Sequence, residues 1–265
     1  MNTMGIAVTV ACAAAWPALC LAQGADELAR KLSNPVASLI SVPMQFNYDA
    51  GIGAADGSKM LINVQPVIPV AISNDWNLIS RTIIPIVDQT DTAGKSGSQS
   101  GLGDVLQTVF FSPKAPTPGG LIWGAGPVLL LPTATDDKLG AKKWGLGPTG
   151  LVLKQSGHWT VGALANHVWS VAGDSQRADI SSTFMQPFVS YGTKQATTFG
   201  LNIESTYDWK SSQWTVPINA TVSQVLKFGT QLVQVGGGVR YWAEAPAGGP
   251  SGWGYRLVFT LLYPK

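Results

Sequence analysis

WGYRLVFTLLY, residues 253–263, alternates without interruption: Trp253, Tyr255, Leu257, Phe259, Leu261 and Tyr263 share one face and Arg256 lies on the other. A period of two is the signature of a β-strand, since successive side chains leave opposite faces. The order along the apolar face decides more than the alternation does. Aromatic rings stand at both ends and aliphatic side chains between them. A water-soluble sandwich gathers its aromatics mid-strand, where burial is deepest. Rings at both ends of an apolar stripe instead match the aromatic girdles of an outer-membrane β-barrel.

The same pattern runs backwards through the chain. Phe199, Leu201, Ile203, Tyr207 and Trp209 oppose Thr198, Asn202, Glu204, Thr206 and Asp208. Trp214, Val216, Ile218, Ala220 and Val222 oppose Thr215, Asn219, Thr221 and Ser223, and Ile40, Val42, Met44, Phe46 and Tyr48 alternate with Ser41, Gln45, Asn47 and Asp49. Segments of this kind fall near 39–50, 59–72, 76–88, 102–112, 121–134, 144–155, 159–172, 180–192, 197–209, 214–226, 231–244 and 253–263. They are well above the globular strand mode of about 5–6 residues and long enough for a tilted membrane strand of roughly 9–11. Twelve is even, as bacterial barrels require. Polar stretches at 90–100, 135–143, 173–179 and 245–252 follow odd-numbered segments, and short turns at 73–75, 156–158, 193–196 and 228–230 follow even ones. That parity is the one expected of extracellular loops and periplasmic turns; SPKAPTPGG (112–120) is the exception.

Composition agrees. Of 265 residues only 12% are charged and 45% are hydrophobic, against roughly 25% charged in a soluble domain. Disorder, which needs low hydrophobicity and high charge, is excluded. The 30 glycines, 17 prolines and 10 tryptophans favour strands and turns. The net charge of +2 is not clustered, which excludes a nucleic-acid surface.

Residues 1–22 read as a secretory signal peptide, with an uncharged apolar run at 5–22 and both cysteines, Cys12 and Cys20, inside it; an uncleaved anchor helix is the alternative. The remaining chain then has no thiol chemistry. In ADELARKLSNP (25–35), Leu28 and Leu32 share a helix face, Glu27 faces Lys31, and Asn34-Pro35 stops the run. This short helix, within a leader spanning 23–38, either plugs the barrel or merely leads into it. Residues 39–265 are the barrel. The expected fold is therefore all-β: an antiparallel transmembrane barrel of about twelve strands with a short N-terminal helix, in a Gram-negative outer membrane, with lipid as its surroundings.

If the aromatic faces look out, the opposite faces line the lumen. That interior set contains Asp49, Asn63, Gln65, Arg81, Asp104, Asn202, Glu204, Asn219, Arg240 and Arg256. The mid-strand charges Arg81, Asp104, Glu204, Arg240 and Arg256 form either a mixed-sign constriction or an internal ion-pair filling. The girdle set is Trp76, Trp159, Tyr207, Trp209, Trp214, Trp253, Tyr255 and Tyr263. Pro43, Pro66, Pro69, Pro85, Pro127, Pro187 and Pro217 fall within strands and mark bulges or kinks. Gly236-Gly237-Gly238 bends the wall or opens a lateral gap. No cofactor is expected: neither GLGDV nor GLGPT has a phosphate-loop context. Only His158, in a turn, and His167, with Asn166 and Ser170 nearby, are available as bases, and no GxSxG elbow or metal-ligand spacing occurs.

The stretches NPVASLISVPMQFNYD (34–49), WNLISRTIIPI (76–86), GLGDVLQTVFFSP (101–113), GLGPT (145–149) and QPFVSYGT (186–193) resemble bacterial outer-membrane proteins of the phenol-degradation meta-pathway family in kind and order. The resemblance implies an outer-membrane barrel and a role in passing small, often hydrophobic or aromatic compounds. The expected function is a passive channel or transporter for a small-molecule solute, not an enzyme. Its rivals are a non-transporting structural or partner-binding barrel and, behind it, an outer-membrane hydrolase.

Overall fold

A computed structural model describes Gly24 and residues 26–264. Fifteen strands follow one another: β1 (Ile40–Ile52), β2 (Gly57–Val64), β3 (Val67–Ala71), β4 (Trp76–Thr90), β5 (Ser98–Leu102), β6 (Val105–Pro113), β7 (Leu121–Leu131), β8 (Lys143–Ser156), β9 (Trp159–Gly173), β10 (Ser181–Gly192), β11 (Thr197–Ile203), β12 (Ser205–Asp208), β13 (Gln213–Phe228), β14 (Gln231–Glu244) and β15 (Gly252–Tyr263). The pairs β2/β3, β5/β6 and β11/β12 each continue along a common neighbour, so fifteen strands make twelve staves. β1 pairs with β15 from Ile40↔Tyr263 to Asp49↔Gly254, which closes the antiparallel barrel; β5 pairs with β4 alone.

Prolines explain the three broken staves, because a proline has no N–H to give the ladder. Glu204, between β11 and β12, is flanked by Pro187 on β10 and Pro217 on β13, and its own N–H bonds Pro217 O at 3.0 Å. At Gln65-Pro66 the chain bonds Pro43 O through Gln65 N (2.7 Å), and Pro66 O accepts from Thr82 N (3.1 Å). Gly103, at the third break, donates to Pro85 O at 2.9 Å. Pro127 and Pro148 face each other across β7 and β8. The glycine triplet opens no gap: β14 stays paired with β13 and β15 through Gly236, Gly237 and Gly238. Gly236 and Gly238 turn inward where the wall bends so sharply that a Cβ would overlap the Val222 and Ala220 carbonyl oxygens.

Both described ends of the chain lie at one rim, with the connections 72–75, 114–120, 157–158, 193–196 and 229–230. The opposite rim carries 53–56, 91–97, 132–142, 174–180, 209–212 and 245–251. The long-short alternation is therefore incomplete: 53–56 and 209–212 are tight turns on the long-loop rim. On the outer wall Val161, Leu201, Val222 and Leu257 are 54, 46, 46 and 62% exposed, a belt that only hydrocarbon makes favourable. Trp76, Trp159 and Tyr263 stand at the rim of the chain ends, joined there by Trp123 and Phe228. Tyr207, Trp209, Trp214, Trp253 and Tyr255 stand at the loop rim, joined by Trp144, Trp169 and Tyr241. Polar groups on the outer wall pair with one another: Gln107 Nε2 donates to Ser80 Oγ (3.0 Å) and accepts at Oε1 from Thr82 (2.6 Å).

The leader packs inside the mouth at the chain-end rim. Residues 26–32 are helical, with Lys31 Nζ 2.8 Å from Glu27 Oε1. After the helix, Asn34 turns the chain by accepting Val36 N at its side chain (3.0 Å) and Ala37 N at its carbonyl (3.1 Å). Leu28, Ala29, Leu32 and Leu39 pack on Ala196, Val225 and Leu262. Val36 enters an apolar half of the lumen formed by Ile79, Phe110, Leu151, Leu153 and Leu164. Its seat depends on Gly124, where a Cβ would stand 3.3 Å from both Val36 Cγ1 and Phe110 Cβ. Gln155 Nε2 donates to Arg30 O (2.9 Å) and Asn77 Nδ2 to Ser38 Oγ (2.9 Å), fixing the leader to the wall at two points. The stretch before it, read as a signal peptide, lies outside the described residues.

Candidate functional site

The polar half of the lumen is built by register. Around the wall, Asn202, Asn219, Arg240, Gly254, Asp49 and Lys59 are successive cross-strand partners on β11, β13, β14, β15, β1 and β2. One step nearer the chain ends, Gly238, Arg256 and Asn47 form a second row. Alternation obliges both rows to face inward, since their neighbours Tyr48, Val239, Tyr241, Tyr255 and Leu257 are on the exposed outer face.

These side chains interlock. Arg256, 2% exposed, donates Nε to Asn47 Oδ1 (2.7 Å) and reaches three staves away to Glu204, with Nη1 on Oε1 and Nη2 on Oε2, both at 2.8 Å. Arg240 donates Nη2 to Glu204 Oε2 (3.2 Å), Nη1 to Asp49 Oδ2 (3.3 Å) and Nε to Asn219 Oδ1 (3.0 Å). Asn219 Nδ2 in turn donates to Asn202 Oδ1 (2.8 Å), and Trp242 Nε1 to Asp49 Oδ1 (2.7 Å). Asp49 meets both β14 residues across the whole of β15, which is possible because Gly254 stands between them; a Cβ there would overlap Asp49 Oδ1. Each carboxylate oxygen therefore has a donor, as buried charge requires. The Glu204 side chain, freed from a regular ladder by its two flanking prolines, is the point where both guanidiniums converge.

Arg81 stands apart. Its Nη2 donates to Gln65 Oε1 (2.7 Å), and Gln65 is held in turn by donating Nε2 to Gln45 Oε1 (2.9 Å). Among the described residues no carboxylate lies within ion-pair distance of Arg81. Arg81, Arg240, Arg256 and Lys59 thus face Asp49 and Glu204, an excess of two positive charges in the polar half of the lumen. Between this network and the leader lies a cavity of about 290 Å³, bounded by Arg81, Gln65 and Arg256 on one side and Leu164 and Phe188 on the other.

Of the ten residues the alternation places inside, Asp49, Gln65, Arg81, Asn202, Glu204, Asn219, Arg240 and Arg256 come together here. Asn63 is half-buried opposite Gln45 and Pro85 and makes no side-chain hydrogen bond. Asp104 departs from expectation. It falls in the β5/β6 break, where its carboxylate accepts Ala134 N (3.1 Å) and Ala141 N (2.6 Å) and so ties down the 132–142 loop. Asn47, Lys59, Trp242 and Gly254 complete the site. Asn47 shares the parity of Asp49 and was within reach of the alternation. Trp242 shares the inward parity of Arg240 and was equally within reach; the register slip, where Val216 pairs with Glu244 and Pro217 with Trp242, falls beyond it at Ala243.

Of the two histidines, His167 lies on the outer wall and His158 in the 157–158 turn beside the leader. His167 shares a 2.7 Å hydrogen bond between Nδ1 and Thr183 Oγ1, has Nε2 3.5 Å from Ser181 Oγ, and stacks on Trp169 at 4.1 Å. Thr183 Oγ1 also accepts from Trp209 Nε1 (2.8 Å), and Ser170 is turned away to Asp179 (3.2 Å). Among the described residues no carboxylate orients the ring, and the serine is at the limit of hydrogen-bond reach, so the cluster lacks the base–orienter geometry of a nucleophilic site. His158 packs on Tyr191 at 5.7 Å.

Comparison of the sequence with protein-family models and with curated proteins gives no match. Among solved structures, an outer-membrane channel from Pseudomonas putida F1 is similar with a TM-score of 0.67 and 15% identity, over 85% of this chain and 96% of that one. The outer membrane phospholipase A of Escherichia coli is similar at 0.51 with 8% identity, over 84% of this chain and 90% of that one. The calcium-bound phospholipase dimer of Salmonella typhi stands at 0.50 with 9% identity, over 84% and 91%. The fold is accordingly that of Gram-negative outer-membrane barrels.

Proposed function

We propose that the chain is an outer-membrane channel through which small molecules pass by diffusion, selected by the charge of its lumen. One observation carries the reading. Eight-stranded barrels are filled by their own side chains, whereas here twelve staves enclose a charged, hydrogen-bonded constriction with a 290 Å³ cavity beneath it. A constriction whose side chains are fixed by one another presents a permanent electrostatic filter to a passing solute. The channel from Pseudomonas putida shares the barrel fold, and the strand sequences that resemble the phenol-degradation meta-pathway family point in the same direction. The similar solved structure at the higher TM-score is a channel and the phospholipases stand lower, which favours passage of solute over hydrolysis.

A second reading, a non-transporting barrel, draws on the leader lying across the mouth with Val36 in its apolar seat. Planar-bilayer recording separates the two. The channel reading expects discrete conductance with anion preference, and Arg81→Glu, which removes the excess of two positive charges, moves the reversal potential toward cations. Absence of both conductance and solute flux in liposomes, from barrel shown to be folded by its heat-shifted gel mobility, refutes it.

A further inference from the structure

We propose that the cavity between the charged network and the leader is a binding site for a small monocarboxylate with an apolar body. Three observations converge on it. First, Arg81 faces the cavity with one N–H engaged by Gln65 and, among the described residues, no carboxylate within ion-pair distance; Glu204 acts on it only at longer range. A guanidinium carries five donors in a planar fork that matches a carboxylate in two-pronged fashion. Gln65, itself 6% exposed and held by Gln45, fixes that fork in place before any solute arrives. Second, Thr198 lines the same cavity, is 8% exposed, and its Oγ1 is buried without a hydrogen-bond partner. A buried hydroxyl left unmatched is costly, and an acceptor in the cavity relieves it. Third, apolar side chains border the space as well: Leu164 and Phe188 across the bore from Arg81, and Val67 beside Arg81 on the paired strand. One guanidinium facing an aromatic ring and an aliphatic side chain, with hydrogen-bonding groups such as Gln186 and Ser190 between, suits an occupant with a single charged group and an apolar body.

Charge and size narrow the class. The two surplus cations of the lumen oppose a cationic solute and leave a neutral one with no counterpart for Arg81. Arg256 borders the cavity as well, but three of its donors are committed to Asn47 and Glu204, so one guanidinium is available and one negative charge is matched. A volume of 290 Å³ is at the lower end for small-molecule sites, enough for a single ring or a short chain.

The site depends on the channel reading only in that solute crosses this bore, and the test keeps the two apart. Benzoate and its uncharged counterpart benzyl alcohol are titrated calorimetrically into the purified full barrel in detergent. Benzoate binds at least tenfold more tightly than benzyl alcohol. Arg81→Gln removes that preference while leaving the gel mobility of the folded barrel and the benzyl alcohol affinity unmoved, and Phe188→Ala weakens both ligands. Should R81Q not fold, R81K keeps the charge and loses the fork, and lowers benzoate affinity at least threefold. Equal affinity for the two ligands in the unmodified protein, no benzoate binding, or a preference untouched at Arg81 overturns the proposal. Benzoate binding without conductance overturns the channel reading instead and leaves the site standing.

Discussion

Replacing Glu204 by Gln leaves its shape and removes the one charge on which two guanidiniums converge. The wild-type carboxylate accepts three N–H groups, two from Arg256 at 2.8 Å and one from Arg240 at 3.2 Å. The three side chains are 17, 2 and 6% exposed. Hydrogen bonds to charged groups contribute roughly 1.5–3 kcal/mol each, so simple addition sets a ceiling of about 4.5–9 kcal/mol. Gln keeps one acceptor and turns an NH₂ toward a guanidinium, while Arg256, held otherwise only by Asn47, is left as an uncompensated buried charge. Breaking a buried pair in this way costs about 3–5 kcal/mol, and that is the expected loss in unfolding free energy, measured by tryptophan fluorescence in a denaturant series. The companion variant E204M/R256M removes both charges, leaves Arg240 with Asp49, and is expected to cost less than E204Q alone, because two desolvation penalties vanish with the pair. In bilayers E204Q raises the lumenal excess from two positive charges to three, so anion preference strengthens. A loss below about 1 kcal/mol, the size of an exposed pair, refutes the claim that Glu204 clamps these staves. A double variant costing more than the single one refutes the desolvation argument.

Gly254→Ala pushes Asp49 away from Arg240 and Trp242; about 1–3 kcal/mol of stability is expected to be lost, read in the same denaturant series. Val36→Asp places a charge among Ile79, Phe110 and Leu151, an arrangement too costly to hold; the leader should undock, seen as faster tryptic cleavage after Arg30 and Lys31 and, under the plug reading, as higher conductance. In the loops, the hydrogen bond and charge of Lys142 hold the Asp137 carboxyl below the usual aspartate range, and Lys143 with Ser170 does the same for Asp179. A depressed carboxyl contributes fully above its unfolded value and loses that contribution as pH falls through the lower folded one. Amide exchange in 174–180, corrected for its intrinsic pH dependence, should therefore rise on acidification below about pH 4, and Asp179→Asn should be fast already at neutral pH.

Alternation made the staves legible because lipid outside and water inside leave each strand position only two options. Arg256 and Arg240 follow from that parity alone, and so does Asn47. Whether a lumenal charge joins the network depends on backbone irregularities that parity does not register. Asp104 has inward parity, yet a stave break beside Pro85 hands its carboxylate to the 132–142 loop. Trp242, by contrast, keeps the inward parity of Arg240 and meets Asp49 with no help from the slip beyond it. Long-range partners were equally out of reach: Glu204 and Arg256 are three staves apart, and only barrel curvature, set partly by the inward Gly236 and Gly238, brings them into bidentate contact.

Prolines tie these observations together. A ladder proline is a defect in an ordinary sheet, tolerated at an edge, and closure of the barrel leaves little edge to put one on. Here two of the three interruptions fall at a lumenal group of the site, Glu204 beside Pro187 and Pro217, and Gln65 beside Pro66 and Pro43. Each missing N–H leaves the neighbouring backbone free of strict pleat, so the side chain at the break can lean across the bore rather than stand perpendicular to its own strand. That is what Glu204 must do to meet Arg256, and what Gln65 must do to set the Arg81 fork. The same sites that weaken the wall thus position the charges that the lumen presents to a solute.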